Sequence, residues 1–364
     1  EETTKDLGIG EHNLWVIGEV PNKFALTTAN KTKLMKSLLY DQQTSKTQPS
    51  VLHKKDPRMK VPVKDMFAHN MQGFDTQIGP VNREILEEAT EELASYLRIA
   101  YHQDNIKPRL LTNSEMINGI PGVLESVAMD TSPGFPWVKQ REQVKLNGKY
   151  EWFDATTDDD GRKLYYMKDK IATRLEQREM AAKLGKRLND SFGYTCLKDE
   201  KRRHEKIASG KTRVFICLPM DYNLLVRKYF GAFIASQHAV AANIGVASCV
   251  GINPLDTWET IYRDLSAKNT EWEDFDYANW DQSLHPEFFS AYVDIVSEFY
   301  GDKKDSENYR VRQVLMEELC KTFLLMGNHL VFKNSGQCSG CAITAEINCV
   351  IHKLLMLYSY KLFY

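Results

Sequence analysis

Long apolar runs are missing from this 364-residue chain. No stretch of about 18 apolar residues occurs, so no membrane-spanning helix is expected. Residues 1–10 are polar and hold no signal-peptide core. Cysteine is scarce: seven residues, an odd number, exclude a disulfide scaffold and fit a reducing compartment. Internal repeats and low-complexity tracts are absent, which removes solenoids and linker-like chains. There is little net charge either, with 47 Lys and Arg against 49 Asp and Glu. What is present is globular: 43 % hydrophobic and 26 % charged residues, in a length that suits two or three folding units.

The charge is unevenly placed. Residues 31–64 carry nine basic side chains, Lys31, Lys33, Lys36, Lys46, Lys54, Lys55, Arg58, Lys60 and Lys64, against Asp41 and Asp56. Residues 198–213 carry seven, Lys198, Lys201, Arg202, Arg203, Lys206, Lys211 and Arg213, against three acids. Two basic segments in a near-neutral chain point to a polyanion held in a local groove, and a solvated charged face is the plainer alternative.

Residues 1–64 read as irregular with short strands such as 13–20. Ile85, Leu86, Ala89, Leu93 and Leu97 recur at helical spacing and predict an amphipathic helix over 82–104. Thr131-Ser132-Pro133-Gly134-Phe135-Pro136-Trp137 forms a rigid loop, because two prolines and a glycine exclude a helix. An acidic turn is expected at 154–161. Helices are expected at 163–186, 222–238, 287–300, 309–326 and 342–363, and strands at 214–218, 272–276 and 329–332. Helices and strands mix without regular alternation, so the fold class is α+β.

Three constellations can carry chemistry. Asp276-Tyr277-Ala278-Asn279-Trp280-Asp281 sets two acids on either side of a turn after a strand, with Asp274 on the same strand face as Asp276. Carboxylates so placed suit Mg²⁺, which takes oxygen ligands, although turn-capping acids share that pattern. Ser339-Gly340 leads into a helix on which Thr344 and Asn348, four apart, share a face that can read a sugar or hold an anion. Lys198, Arg202 and Lys206, then Lys211 and Arg213, supply fixed cations for a triphosphate.

Cys338, Cys341, Cys349 and His352 offer a zinc alternative, since the first spacing suits that metal. Tyr300-Gly301-Asp302-Lys303 looks like a degraded Tyr-Gly-Asp-Asp, and it reads better as a helix end capped by Gly301.

Together these residues resemble the RNA-dependent RNA polymerases of picornavirus-like positive-strand RNA viruses. Lys31-Thr32-Lys33-Leu34 and Val51-Leu52-His53-Lys54-Lys55-Asp56-Pro57-Arg58 resemble the N-terminal fingers segment. Thr131 to Trp137 resembles the template-guiding loop called motif G. Lys198-Asp199-Glu200 through Lys211-Thr212-Arg213 resembles motif F, Asp276 with Asp281 resembles motif A, and Ser339-Gly340-x3-Thr344-x3-Asn348 resembles motif B. The five follow the family's order through most of the chain. The extended N-terminus and the cysteines near motif B look closer to insect viruses than to enteroviruses.

The resemblance implies a right-hand polymerase: mostly fingers over 1–220, a fingers–palm junction over 221–265, and palm over 266–364. Asp276 would coordinate two Mg²⁺ (or Mn²⁺) ions with help from the Tyr277 carbonyl. Lys198, Arg202, Lys206 and Arg213 would hold the incoming triphosphate, with Lys211 nearby. Asp281, Ser339, Thr344 and Asn348 would sense the ribose 2′-hydroxyl, the group that separates rNTPs from dNTPs, with Gly340 in the same nucleotide-binding loop. Thr131, Ser132, Pro133 and Gly134 would guide template. Implied partners are RNA template and primer, NTPs, a protein primer and other viral replication proteins, on membrane-associated complexes in host cytoplasm.

Two departures accompany the resemblance. Residue 1 is Glu1, where the family often buries a processed glycine. No Gly-Asp-Asp, the family's motif C, occurs before Tyr364. The expectation is therefore fingers plus an incomplete palm without a thumb, which will not extend a primer. An RNA- and nucleotide-binding fragment without activity and a zinc-stabilised interaction protein remain as competing readings. A reverse transcriptase is a weaker one, since Asp281 with Asn348 favours ribose selection.

Overall fold

The computed structural model describes residues 7–21, 23–25, 31–41, 44–103, 105–142, 147–241, 243, 245–274 and 276–364. Residue 104 and Phe275, which fall within the helix expected at 82–104 and the strand expected at 272–276, lie outside them.

In chain order the strands are β1 (Leu14–Glu19), β2 (Thr47–Pro49), β3 (Phe153–Thr157), β4 (Lys163–Met167), β5 (Gly193–Leu197), β6 (Lys201–Arg203), β7 (Val214–Cys217), β8 (Thr322–Met326) and β9 (His329–Lys333). The helices are α1 (Met66–Met71), α2 (Arg83–Ala100), α3 (Asn113–Asn118), α4 (Asp169–Lys183), α5 (His204–Ala208), α6 (Met220–Ala239), α7 (Pro254–Lys268), α8 (Trp280–Ser283), α9 (Pro286–Tyr300), α10 (Glu307–Cys320) and α11 (Thr344–Phe363). Five strands make one sheet in the order β1-β9-β8-β5-β7, with β8 and β5 parallel and the other pairs antiparallel. β2 pairs with β6, and β3 pairs with β4.

Helix α2 forms where its spacing predicts, with Leu86, Ala89, Leu93 and Leu97 buried and Asn82 capping its first turn. α9 starts at Pro286 behind a His285 cap and stops at Gly301, which takes the left-handed conformation expected of it. α6 is apolar on nearly every face and buried along most of its length, so it runs through the core. Its Phe230 and Phe233 meet Tyr292 and Phe299 of α9 in one cluster.

Three expectations are corrected. The span 163–186 is not one helix: 163–167 is strand β4, paired residue by residue with β3, and only 169–183 is helical. That hairpin also takes 154–157 from the expected acidic turn into a strand. The span 309–326 is a helix to Cys320 and then a core strand, because the apolar run 322–326 pairs with both β5 and β9. Residues 272–274 and 276 form no strand and are exposed, for the sheet's edges are β1 and β7 and no ladder reaches them. Among the described residues, no helix is long and apolar enough to cross a membrane.

Candidate nucleotide and template site

The two basic segments meet. β2 pairs with β6, so Gln48 faces Arg202. Asp199 accepts from the Thr32 hydroxyl at 2.8 Å and the Lys33 amide at 2.6 Å. Ser50 donates through its amide to the Glu200 carbonyl (2.8 Å) and through its hydroxyl to the Lys198 carbonyl (2.6 Å). Helix α1 closes the far side, where Asn70 accepts from the Thr212 amide at 2.9 Å. Lys198, Lys206, Lys211 and Arg213 are exposed on the resulting arc, and Arg202 is half-buried. Glu200 lies among them and pairs with Arg213 at 2.7 Å. Burial alone would raise the Glu200 carboxyl, yet Arg213, Lys198 and Arg202 hold it below its usual range.

The Ser339-Gly340 loop is fastened to the end of that arc. The Ser339 hydroxyl accepts from the Ile216 amide at 3.3 Å, and the Gly340 amide donates to the Ile216 carbonyl at 2.9 Å. Asn223 of α6 bonds the loop twice, to the Gly340 carbonyl (3.1 Å) and from the Ala342 amide (2.8 Å). Asn223 carries no sequence signal of this role, because its partners lie over a hundred residues away. Thr344 turns its hydroxyl to the Cys341 carbonyl at 2.9 Å. The Asn348 Oδ1 is buried without a hydrogen-bond partner among the described residues, an expensive state for an acceptor.

The turn between Asp276 and Asp281 depends on Asn279, a non-glycine residue at φ +54° whose carbonyl accepts from Gln282 and Ser283. Asp281 is half-buried beside this turn. Burial raises its carboxyl above the usual range, against the opposing pull of nearby amides, Lys333 and Arg213. Tyr277 and Trp280 pack on His352, one turn past Asn348 on α11. The structure therefore brings Arg213, Asp281, Ser339 and Gly340 to one region. Asp276 stands exposed, and no group of three His, Cys, Asp or Glu converges among the described residues. The donors present fit one carboxylate and one carbonyl of a divalent-ion site and do not close it.

The Thr131–Trp137 loop lies against the same loop. A cavity of about 330 Å³ is lined by Thr131 and Lys149 on one side and by Gly340 and Ala342 on the other. Ser132 shares a 2.6 Å hydrogen bond with Tyr194, and the Pro133 carbonyl accepts from Met220 at the start of α6. A Cβ on Gly134 would fall 2.2 Å from the Leu218 carbonyl, and φ +76° favours glycine there as well. Lys149 is buried, with its ammonium 2.9 Å from the Ala128 carbonyl and also bonded to Thr131.

Burial pushes the Lys149 ammonium down to about 8. The unfolded chain keeps this proton to higher pH than the fold does, so folding stability rises as pH climbs from 8 toward the ordinary lysine range. Between pH 7.5 and 9, the parent is expected to gain about 1 kcal/mol more in urea unfolding than Lys149→Met. Equal pH dependence would contradict the burial.

The zinc alternative finds no ligand cluster among the described residues. Cys338 turns to the Leu319 carbonyl (3.3 Å) and Thr322, while His352 meets the Tyr277 and Trp280 rings edge-on. The four side chains do not converge.

The family model for viral RNA-dependent RNA polymerase matches residues 39–364. The genome polyprotein of Rice tungro spherical virus (strain Vt6) is 28 % identical over 356 residues, 95 % of this chain and 10 % of the polyprotein. The replicase polyprotein of Acute bee paralysis virus (strain Rothamsted) is 28 % identical over 329 residues, 89 % of this chain and 16 % of the polyprotein. The chain thus spans a small part of these relatives. A solved Sicinivirus 3Dpol RNA-dependent RNA polymerase shares the fold at TM-score 0.75 and 22 % identity, covering 94 % of this chain and 66 % of that one. With most of its length matched by the family model and its fold shared with a right-hand polymerase, this chain belongs to the viral RNA-dependent RNA polymerase family.

Proposed function

We propose that this chain forms the nucleotide- and template-binding part of an RNA-directed RNA polymerase that copies a positive-strand RNA genome. The observation that carries the reading is the junction at Ile216: it ties the Ser339-Gly340 loop to the strand that continues from Arg213. Lys198, Arg202, Lys206 and Arg213 hold the triphosphate, with Lys211 beside them. Arg213 is released from Glu200 as phosphate takes its place. Asp281, Thr344 and Asn348 meet the ribose, and the unpartnered Asn348 Oδ1 is an acceptor ready for a hydroxyl proton. Thr131, Ser132, Pro133 and Gly134 border the template path. Mg²⁺ or Mn²⁺, held in part by Asp276 and the Tyr277 carbonyl, would supply activation of the primer hydroxyl and neutralise the leaving pyrophosphate. In this reading 1–220 are mostly fingers, 221–265 the junction and 266–364 palm, working at membrane-associated replication sites with RNA, NTPs and other viral proteins.

Crosslinking to a photoreactive azido-ATP, with short RNA template and Mg²⁺ present, tests the ribose assignment. ATP should compete better than 2′-deoxy-ATP. Asp281→Ala or Asn348→Ala should shrink that preference roughly 5- to 100-fold, the equivalent of about 1–3 kcal/mol for a lost buried hydrogen bond. Undiminished preference in both variants would refute the assignment.

A further inference from the structure

From Lys333, the last residue of β9, to Gln337, three of five side chains are polar and fully buried: Lys333, Ser335 and Gln337. A fully buried lysine is unusual unless its charge is met. Its hydrogen bonds all go to carbonyls, and the Phe74 ring lies under it at 5.5 Å. The Lys333 ammonium donates to Cys320 (2.5 Å) and Leu319 (3.2 Å), the last two residues of α10, and to Gly336 (2.7 Å) and Ser335 (2.9 Å) of its own loop. Carbonyls at a helix C-terminus carry partial negative charge, so the cation anchors the loop to the end of α10.

With the Ser335 and Gly336 carbonyls fixed inward, the next amides turn toward the Asp276–Asp281 side. Gly336 donates to the Leu284 carbonyl at 2.9 Å, and Gln337 donates to the Asp281 carbonyl at 2.7 Å. The Gln337 side-chain amide reaches the other way, 3.4 Å to the Thr344 carbonyl. One residue is thus bonded to both Asp281 and Thr344, which belong to segments 63 positions apart. Its Oε1 is buried with no partner among the described residues. Packing alone would favour an apolar side chain of the same length, since an unsatisfied buried acceptor costs stability.

We infer that Gln337 is a positioning residue for ribose discrimination: it sets the spacing between Asp281 and Thr344 so that both meet the sugar together. Nothing in the sequence marks it, because it precedes the Ser-Gly pair and has no chemistry of its own. The inference rests on the ribose reading proposed above, and the test separates the two.

The experiment compares parent, Gln337→Met and Gln337→Glu in the azido-ATP crosslinking assay, with ATP and 2′-deoxy-ATP as competitors. Circular dichroism melting of each protein runs alongside. Methionine keeps length and the backbone bond to Asp281 while losing the bond to Thr344. Glutamate keeps shape and, as the carboxylate, loses the donor. The expected result is a fall of about fivefold or more in the ATP over 2′-deoxy-ATP preference in both variants, with melting of Gln337→Met unchanged or raised. A purely structural glutamine would alter melting and leave the preference alone. Parent-like preference in either folded variant overturns the inference. If the parent itself shows no preference, the ribose reading fails first. Should Gln337→Met not fold, Gln337→Glu decides by the same criterion.

Discussion

Arg178→Met is expected to destabilise the fold by about 3–5 kcal/mol, the range for removing one partner from a buried ion pair. Arg178 is 2 % exposed and bonds Asp221 at 2.7 Å, Glu318 at 2.8 and 3.0 Å, and Ser191 at 2.9 Å. Burial pulls its pKa down, but Glu318 and Asp221 outweigh that and hold the proton more tightly than usual. Asp221 also accepts from the Trp137 indole at 2.6 Å, so the cluster joins α4, α6, α10 and the end of the Thr131–Trp137 loop. Without the guanidinium, Glu318 stays buried without its cation, and Asp221 keeps only the longer 3.7 Å pair with Arg174. Urea unfolding measures the loss. A loss under about 1 kcal/mol would contradict the cluster's role. Adding Glu318→Gln to Arg178→Met should recover part of the loss, because one uncompensated charge is removed.

Gly340→Ala should abolish nucleotide crosslinking at the Ser339 loop while leaving most of the fold intact. A Cβ at this position would lie 2.3 Å from the Ile216 carbonyl oxygen and 3.0 Å from the Cys217 Cα. Both are backbone atoms of a core strand, so the loop must give way and not the sheet. The Gly340–Ile216 hydrogen bond breaks, and with it the Ser339 contact to the Ile216 amide. Melting should fall by only a few degrees, since the lost contacts are few and at the surface of the core. Labelling should fall at least tenfold. A variant that labels like the parent would show that the loop's attachment to β7 is dispensable.

The elements best read from sequence were those whose periodicity matched their environment. α2 and α9 bury one clear face, and their Asn82, His285 and Gly301 boundaries follow local capping chemistry. The 309–326 span misled because Thr322-Phe323-Leu324-Leu325-Met326 follows Cys320 without glycine or proline, and a short apolar run has no period that distinguishes strand from helix. The 272–276 span has strand-like composition, but a strand exists only where a neighbour offers a ladder. The motifs in Lys198–Arg213, Asp276–Asp281 and Ser339–Asn348 were legible locally, and their ordered likeness to a family named the fold. What joins those motifs was not legible. Asn223, Asn70, Lys149 and Gln337 act through partners distant in sequence or through backbone atoms, and a carbonyl leaves no letter in the sequence. The pairing of β2 with β6, which merges two basic segments into one arc, is of the same kind.

The central claim is that the basic arc, the Asp281 turn and the Ser339 loop make one ribonucleotide site. Mapping the azido-ATP crosslinks by peptide mass spectrometry tests it most directly. The account predicts modified peptides from 198–213 and from 335–348, both protected by excess ATP and less so by 2′-deoxy-ATP. Labels elsewhere on the chain, or labels at these peptides that ATP does not displace, would contradict it.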